Sequence, residues 1–238
     1  MKWPNVAAAG LAMVMAGLVF AEGFSLSPLK VTISPREPSS SVVVENTGEG
    51  PLVIQVRPLA WSQRDGKDVR EETRDLIVNP PIFKLARGEQ QLVRFASRLP
   101  PPREDERTFR AVFTEVPPRE APQGHTGFRI ALAMDIPVIF EPVAAAVSRP
   151  ATWSAERTEK GLRLRAENPG NGLYRINDVQ FSAAGSALHR QGFVAVLPRS
   201  WLAIELPAPP AGTSAIQLTA HGSDNQPVAV AIPLPPPL

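Results

Sequence analysis

Residues 127–142 read GFRIALAMDIPVIFEP, and this stretch decides the fold. Every second residue (Phe128, Ile130, Leu132, Met134, Ile136, Val138 and Phe140) is large and apolar, while most of those between are small or polar. A period of two marks a β-strand with one apolar face. Pro137 lies on the other face. Proline has no N–H to give to a ladder, so inside a strand it points to a sheet edge or to a switch between sheets. A long apolar edge strand invites pairing with another chain, and natural proteins usually blunt such edges.

The surroundings of this strand are also β. The 238 residues include 27 prolines and 16 glycines, and no helical period persists beyond the first 20 residues. Proline excess disfavours helices and suits strands joined by stiff loops. Strands are expected at about 25–33, at 40–46, over LVIQVRPLAWSQ (52–63), near 76–78, at 92–95 and over 107–116. With 128–140 this makes about seven, and the turn signals between them recur at the spacing of an immunoglobulin-size sandwich. The charged run RDGKDVREETRD (64–75) belongs on the surface. After the small-residue linker VAAAVSRP (143–150) a second β pattern begins. GLRLRAENPGN and YRINDVQFSA flank an Asn-Pro-Gly-Asn turn, and SAIQLTA with PVAVAIPL closes the chain as a hairpin. The expected architecture is all-β, with two immunoglobulin-like β-sandwich domains in series, 22–143 and 148–238.

Residues 1–21 read as a secretory signal. Lys2 precedes an apolar run from Val6 to Phe20, and Val19-Phe20-Ala21 suits cleavage after Ala21. The run is short for a membrane span, so no membrane insertion is expected after cleavage. The chain has no cysteine. It is therefore held together by core burial without disulfides, and thiolate-bound zinc is excluded. A net charge of +2 and a pI near 9.3 are too mild for the footprint of a nucleic-acid binder.

Catalytic patterns are missing. His125, His189 and His221 are scattered without ligand spacing, so neither a metal nor another cofactor is expected. There is no G-x-S-x-G, H-E-x-x-H or glycine-rich phosphate loop. The run REDER (103–107) groups carboxylates beside three prolines and reads as a solvated turn. Together these features point away from an enzyme.

What remains is the apolar strand face and the basic residues near it. SPLKVTIS, SVVVENTGEGPLVIQV, NPPIFKLARGEQQLVRF, RTFRAVFTEVPP and the alternating strand ending PVIFEP follow one another in the layout of the periplasmic pilus-assembly chaperones. NPGNGLYRINDVQF and FVAVLPRSW continue the pattern in the second half. Across nearly the whole chain after residue 21 the sequence resembles this PapD-like family of the chaperone–usher pathway. The proline in the last strand and the lack of cysteine look more like its archaic or spore-coat-like branch than the P-pilus type.

The resemblance implies a boomerang of two immunoglobulin-like domains in the periplasm. Its partners would be pilus or fimbrial subunits and an outer-membrane usher. The chaperone lends the last strand of its first domain to a subunit that lacks one, a form of strand addition. Here the donor side chains would be Phe128, Ile130, Leu132, Met134 and Ile136, with Val138 and Phe140 packing at home. The alternative is that the whole face packs into its own core. The family anchors the subunit's C-terminal carboxylate with two basic residues, and this fixes the register. The first maps onto Lys30, but the second falls on Pro137. Arg110 is the expected substitute: if Val116 faces Ile130, Arg110 lies opposite Ile136 on the donor face. Arg94 and Glu115 match a structural charge pair that sets the angle between domains, with Asp224 as a candidate third member. A self-capping dimer would hide the strand in the idle protein. A secreted two-domain binding or adhesion module is the other reading, but Trp61, Trp153 and Trp201 sit singly and form no aromatic cluster.

Overall fold

A computed structural model describes residues 23–117, 131–144 and 146–236. The expected signal segment and two donor positions, Phe128 and Ile130, fall outside the described residues. Among those described, every regular element is a strand, and no helix is long and apolar enough to cross a membrane.

Numbered along the chain, the first sandwich joins two sheets. One contains β1 (Phe24–Ser27), β3 (Ser39–Asn46), β8 (Gln90–Ser97) and β6 (Leu76–Asn79), in that order. The other runs β2 (Val31–Ile33), β10 (Ala133–Phe140), β9 (Arg107–Glu115), β4 (Leu52–Arg64) and β5 (Lys67–Glu72), with β7 (Ile82–Leu85) also paired to β4. Alternation supplies the core. Val42, Val44, Val93 and Phe95 face Ile54, Val56, Ala111, Phe113 and Val138. Phe95 and Phe113 meet edge to face with centroids 6.4 Å apart, a favoured arrangement of ring quadrupoles.

The expected single strand at 25–33 is two strands in different sheets. β1 pairs antiparallel with β3, whereas β2 pairs parallel with β10. Pro28 lies between them and cannot donate to a ladder, so the chain leaves one sheet and joins the other.

The second sandwich has a sheet of β11 (Thr152–Thr158), β12 (Gly161–Asn168) and β15 (Ser200–Leu206). It packs on β14 (Ser186–Val196), β13 (Tyr174–Ala183), β16 (Ala215–Gly222) and β17 (Pro227–Pro233). Leu162, Leu164, Ile176, Phe181, Ile216 and Leu218 form the centre of its core.

One turn occurs in both halves. Glu45-Asn46-Thr47-Gly48-Glu49-Gly50 and Glu167-Asn168-Pro169-Gly170-Asn171-Gly172 share the pattern E-N-x-G-x-G. Asn46 donates to the carbonyls of Gly50 and Leu85 and accepts from the Gly48 N–H. Asn168 donates to Gly172 and Val196 and accepts from Gly170. Each buried amide thus satisfies backbone groups that the strand end leaves without ladder partners.

Polar contacts join the two sandwiches. The Gln63 amide donates to the Ala195 carbonyl and accepts from the Leu197 N–H, both at 2.9 Å, as a strand would. Asn171 donates to the Glu104 carbonyl, and its own carbonyl accepts from the Glu106 N–H. Trp61, Ile139, Leu173, Ala195 and Leu197 form a small apolar cluster between them.

Candidate strand-addition edge and basic cleft

β10 carries the feature that opened the sequence. Its pairing with β9 runs from Ala133↔Thr114 through Pro137↔Arg110 to Phe140↔Arg107. On its other side β2 covers only Val138, Ile139 and Phe140. Among the described residues, Ala133 to Pro137 therefore form an open edge. The Leu132 carbonyl accepts from the Glu115 N–H on the β9 side, while the Glu141 N–H donates to the Ile33 carbonyl on the β2 side. Backbone groups alternate in direction along a strand, so those of Ala133, Asp135 and Pro137 point out of the open edge. Pro137 thus sits where its missing N–H costs the home ladder nothing.

The apolar side chains grade along this strand. Leu132 is 37% exposed, Met134 is half-buried against the first core, and Ile136 is 3% exposed within it. Ile136, expected as a donor, is a residue of the home core: it lies opposite Ala111 and on the same face as Val138. The switch from donor face to core face therefore comes before Pro137, not after it.

The expected register is off by one. Arg110 faces Pro137, not Ile136, so a single-residue shift moves it to the other face of the sheet. Ala111 and Phe113 point into the core, while Thr108 and Arg110 point toward the second sandwich. Arg110 is 4% exposed. Its Nε donates to Asp135 Oδ1 at 2.7 Å and its Nη2 to the Asp135 carbonyl at 3.2 Å. Its guanidinium lies over the Trp61 ring, 4.7 Å from the centroid, and Arg70 holds the second oxygen of Asp135 at 2.7 Å. Arg110 Nη1 is buried with no hydrogen-bond partner.

Lys30 immediately precedes β2. Because Val31 aligns with Val138, Lys30 is level with Pro137, which is level with Arg110. The three form a row across neighbouring strands on the cleft side, and adjacent backbones in a sheet are about 5 Å apart. Lys30 lines a cavity of about 160 Å³ together with Glu106, Glu141, Arg149 and Arg175. Arg175 lies on β13 of the second sandwich, and nothing in the sequence patterning had marked it. Burial, and secondarily the positive charge of Arg110, hold its pKa below the ordinary arginine value.

Two other expected assignments are corrected. Arg94 and Glu115 are not an interdomain pair. Arg94 lies on β8 between Ser41 and Asn79 and is exposed on the outer face, whereas its neighbours Val93 and Phe95 point into the core. Glu115 is buried on β9 in the opposite sheet, on the core side with Phe113. The sheet itself separates the two side chains. Asp224 stays local, accepting from the Gln226 N–H.

The buried charge that spans the junction is Glu106, from the run read as a solvated turn; its neighbour Asp105 meets Arg199 at the exposed rim. The Glu106 side chain is fully buried; Oε2 accepts from the Leu173 N–H at 2.7 Å, and Oε1 accepts from Arg149 Nη2. The row Thr108, Arg110 could have found it, because Glu106 is one step further along the same face. Among the described residues no cluster of His, Cys, Asp or Glu could hold a metal ion.

With this geometry in place, comparison with known proteins is specific. Residues 23–146 match the pili and flagellar-assembly chaperone family, in its PapD N-terminal domain, and the chain belongs to that family. An uncharacterized fimbrial chaperone of Escherichia coli K12, YhcA, is 23% identical over 155 residues. That match spans 65% of this chain and 65% of the length of the relative. Among solved structures, a chain of the CsuC–CsuE chaperone–tip subunit complex from the archaic Csu pili of Acinetobacter baumannii superimposes with a TM-score of 0.68 at 20% identity. The match covers 90% of this chain and all of that one. A chain of the Salmonella enterica complex of SafA pilin with the SafB chaperone gives 0.63 at 19% identity, over 89% and 97% of the two chains. These likenesses establish the two-sandwich fold.

Proposed function

We propose that this protein is a periplasmic chaperone that binds, folds and caps pilus subunits by lending them an edge strand, then delivers them to an outer-membrane usher. Residues 1–21 would direct export and be removed, and residues 22–143 and 148–238 would be the two domains. The observation that carries the reading is the open edge at Ala133–Pro137, flanked by the exposed apolar side chain of Leu132 in a chain of this family.

The edge also favours one strand direction. β2 occupies the continuation of the same edge, beginning at Val31, so an added strand must stop near Lys30. The end that stops there meets Lys30, with Arg110 two strands away. Cations accept a carboxylate and repel an ammonium. The added strand would therefore run parallel to β10, with its C-terminus in the cleft. Leu132 and Met134 would fill the subunit's groove together with Phe128 and Ile130. Lys30 and Arg110 would anchor the carboxylate. In the idle protein, a self-capping dimer would cover the same edge.

Co-expression with secreted subunits encoded beside this gene tests the reading. Subunits should accumulate as one-to-one complexes with this protein and be degraded or aggregate without it. Equal subunit yield with and without this protein would defeat it. Lys30→Ala and Arg110→Ala test the anchor: if both variants protect subunits normally, these residues do not hold the carboxylate.

A further inference from the structure

We infer that Arg175, contributed by the second sandwich, is a third member of the carboxylate site, so that the site is complete only when both sandwiches frame it. This rests on the strand-addition reading above and deepens it. Arg175 lines the same cavity as Lys30. Its Nε donates to Asn177 Oδ1 at 3.0 Å, and its guanidinium is held flat over Phe193, 4.6 Å from the ring centroid. These contacts orient the group but leave it without an ion pair among the described residues. The cavity's acids do not pair with it: Glu106 is occupied by Arg149 and the Leu173 N–H, and Glu141 lines the same cavity without an ion pair to Arg175 among the described residues.

A half-buried guanidinium without an ion pair, in a cavity it shares with Lys30, is unfavourable unless an anion visits. Arg110 offers the matching sign of an unfilled site, a buried Nη1 with no acceptor. Lys30 and Arg175 line one cavity from the two sandwiches, which suits a ligand with two equivalent oxygens, because one oxygen can be held from each side. A terminal carboxylate arriving along the β10 edge has this form. Lys30 and Arg175 would then hold the carboxylate from the two sides, and Arg110, level with Lys30 across β10, would add charge and its free Nη1.

The test uses the mature chain and an acetylated hexapeptide of alternating valine and serine, made with a free C-terminal carboxylate and as the C-terminal amide. Affinities are measured by calorimetry for the unaltered protein, Arg175→Gln and Arg175→Lys. The unaltered protein should prefer the carboxylate form by roughly tenfold or more, as expected for charge-assisted hydrogen bonds. R175Q should lose most of that preference while keeping its affinity for the amide, and R175K should keep part of it. A purely structural role for Arg175 would lower both affinities together and leave their ratio unchanged, which overturns the inference. If R175Q keeps the full preference, Arg175 is no part of the site while strand addition stands. If the unaltered protein binds neither peptide, the strand-addition reading fails and this inference with it.

Discussion

Replacing Glu106 with alanine removes a fully buried carboxylate that serves two partners across the junction. The Leu173 N–H would be left buried and unpaired, a loss of about 1–3 kcal/mol. Arg149 is 43% exposed, so it can turn to solvent and its share must be discounted. The sum is about 2–3 kcal/mol, which for a chain of this size is roughly 4–12 °C in melting temperature. Glu106→Gln keeps an acceptor for Leu173 and should lose only about half as much. Denaturant unfolding followed by circular dichroism measures the difference. Trp61 on one side of the junction and Trp201 on the other report whether the two sandwiches still unfold together. A midpoint for Glu106→Ala within about 0.5 kcal/mol of the unaltered protein would refute the claim that this carboxylate ties the domains together.

Gly66→Ala should destabilise by about 1–3 kcal/mol and perturb Trp201 fluorescence, because Gly66 has φ of +73° and an added Cβ would enter the Trp201 ring. Asn46→Ala and Asn168→Ala should each cost about 2–3 kcal/mol in chemical unfolding, since each strands buried backbone groups; an effect confined to one of the two would break the proposed equivalence of the turns. Leu132→Ser should leave the unfolding midpoint within about 0.5 kcal/mol yet cut the subunit recovered in co-purification several-fold. Arg70→Ala, a partly exposed partner of Asp135, should cost no more than about 1 kcal/mol, because Arg110 still holds that carboxylate.

Period-two alternation made the strands legible, because the burial it predicts is a local property of each strand. Val138 and Phe140 lie in the home core for that reason. What local pattern could not supply was register. The β9–β10 connection is long, and its length leaves the facing pairs undetermined, so Arg110 was placed one residue away and on the wrong face. Glu106 was missed on similar grounds: its composition reads as surface, and only the Thr108–Arg110 row on β9 aims it at the second sandwich. Arg94 and Glu115 show the reverse error. They are plausible partners by charge, but the pleat points Arg94 away from the core and Glu115 into it. Arg175 carried no motif at all, since its setting is made by burial in a cavity shared with Lys30, far earlier in the chain.

Pro137 has a consequence for release. Between Leu132 and β2 the open edge presents the N–H groups of Ala133 and Asp135 and the carbonyls of Ala133 and Pro137, because proline removes the third N–H and Arg110 engages the Asp135 carbonyl. A strand laid there gains from them about 2–6 kcal/mol, and burying Leu132 and Met134 contributes about 1.5–3 kcal/mol each at most. The hold along this stretch is therefore shared between side chains and a main-chain edge that lacks the Pro137 N–H and the Asp135 carbonyl. A competing strand with a full set of backbone partners and similar apolar side chains would have the advantage, so the proline biases this edge toward temporary occupancy.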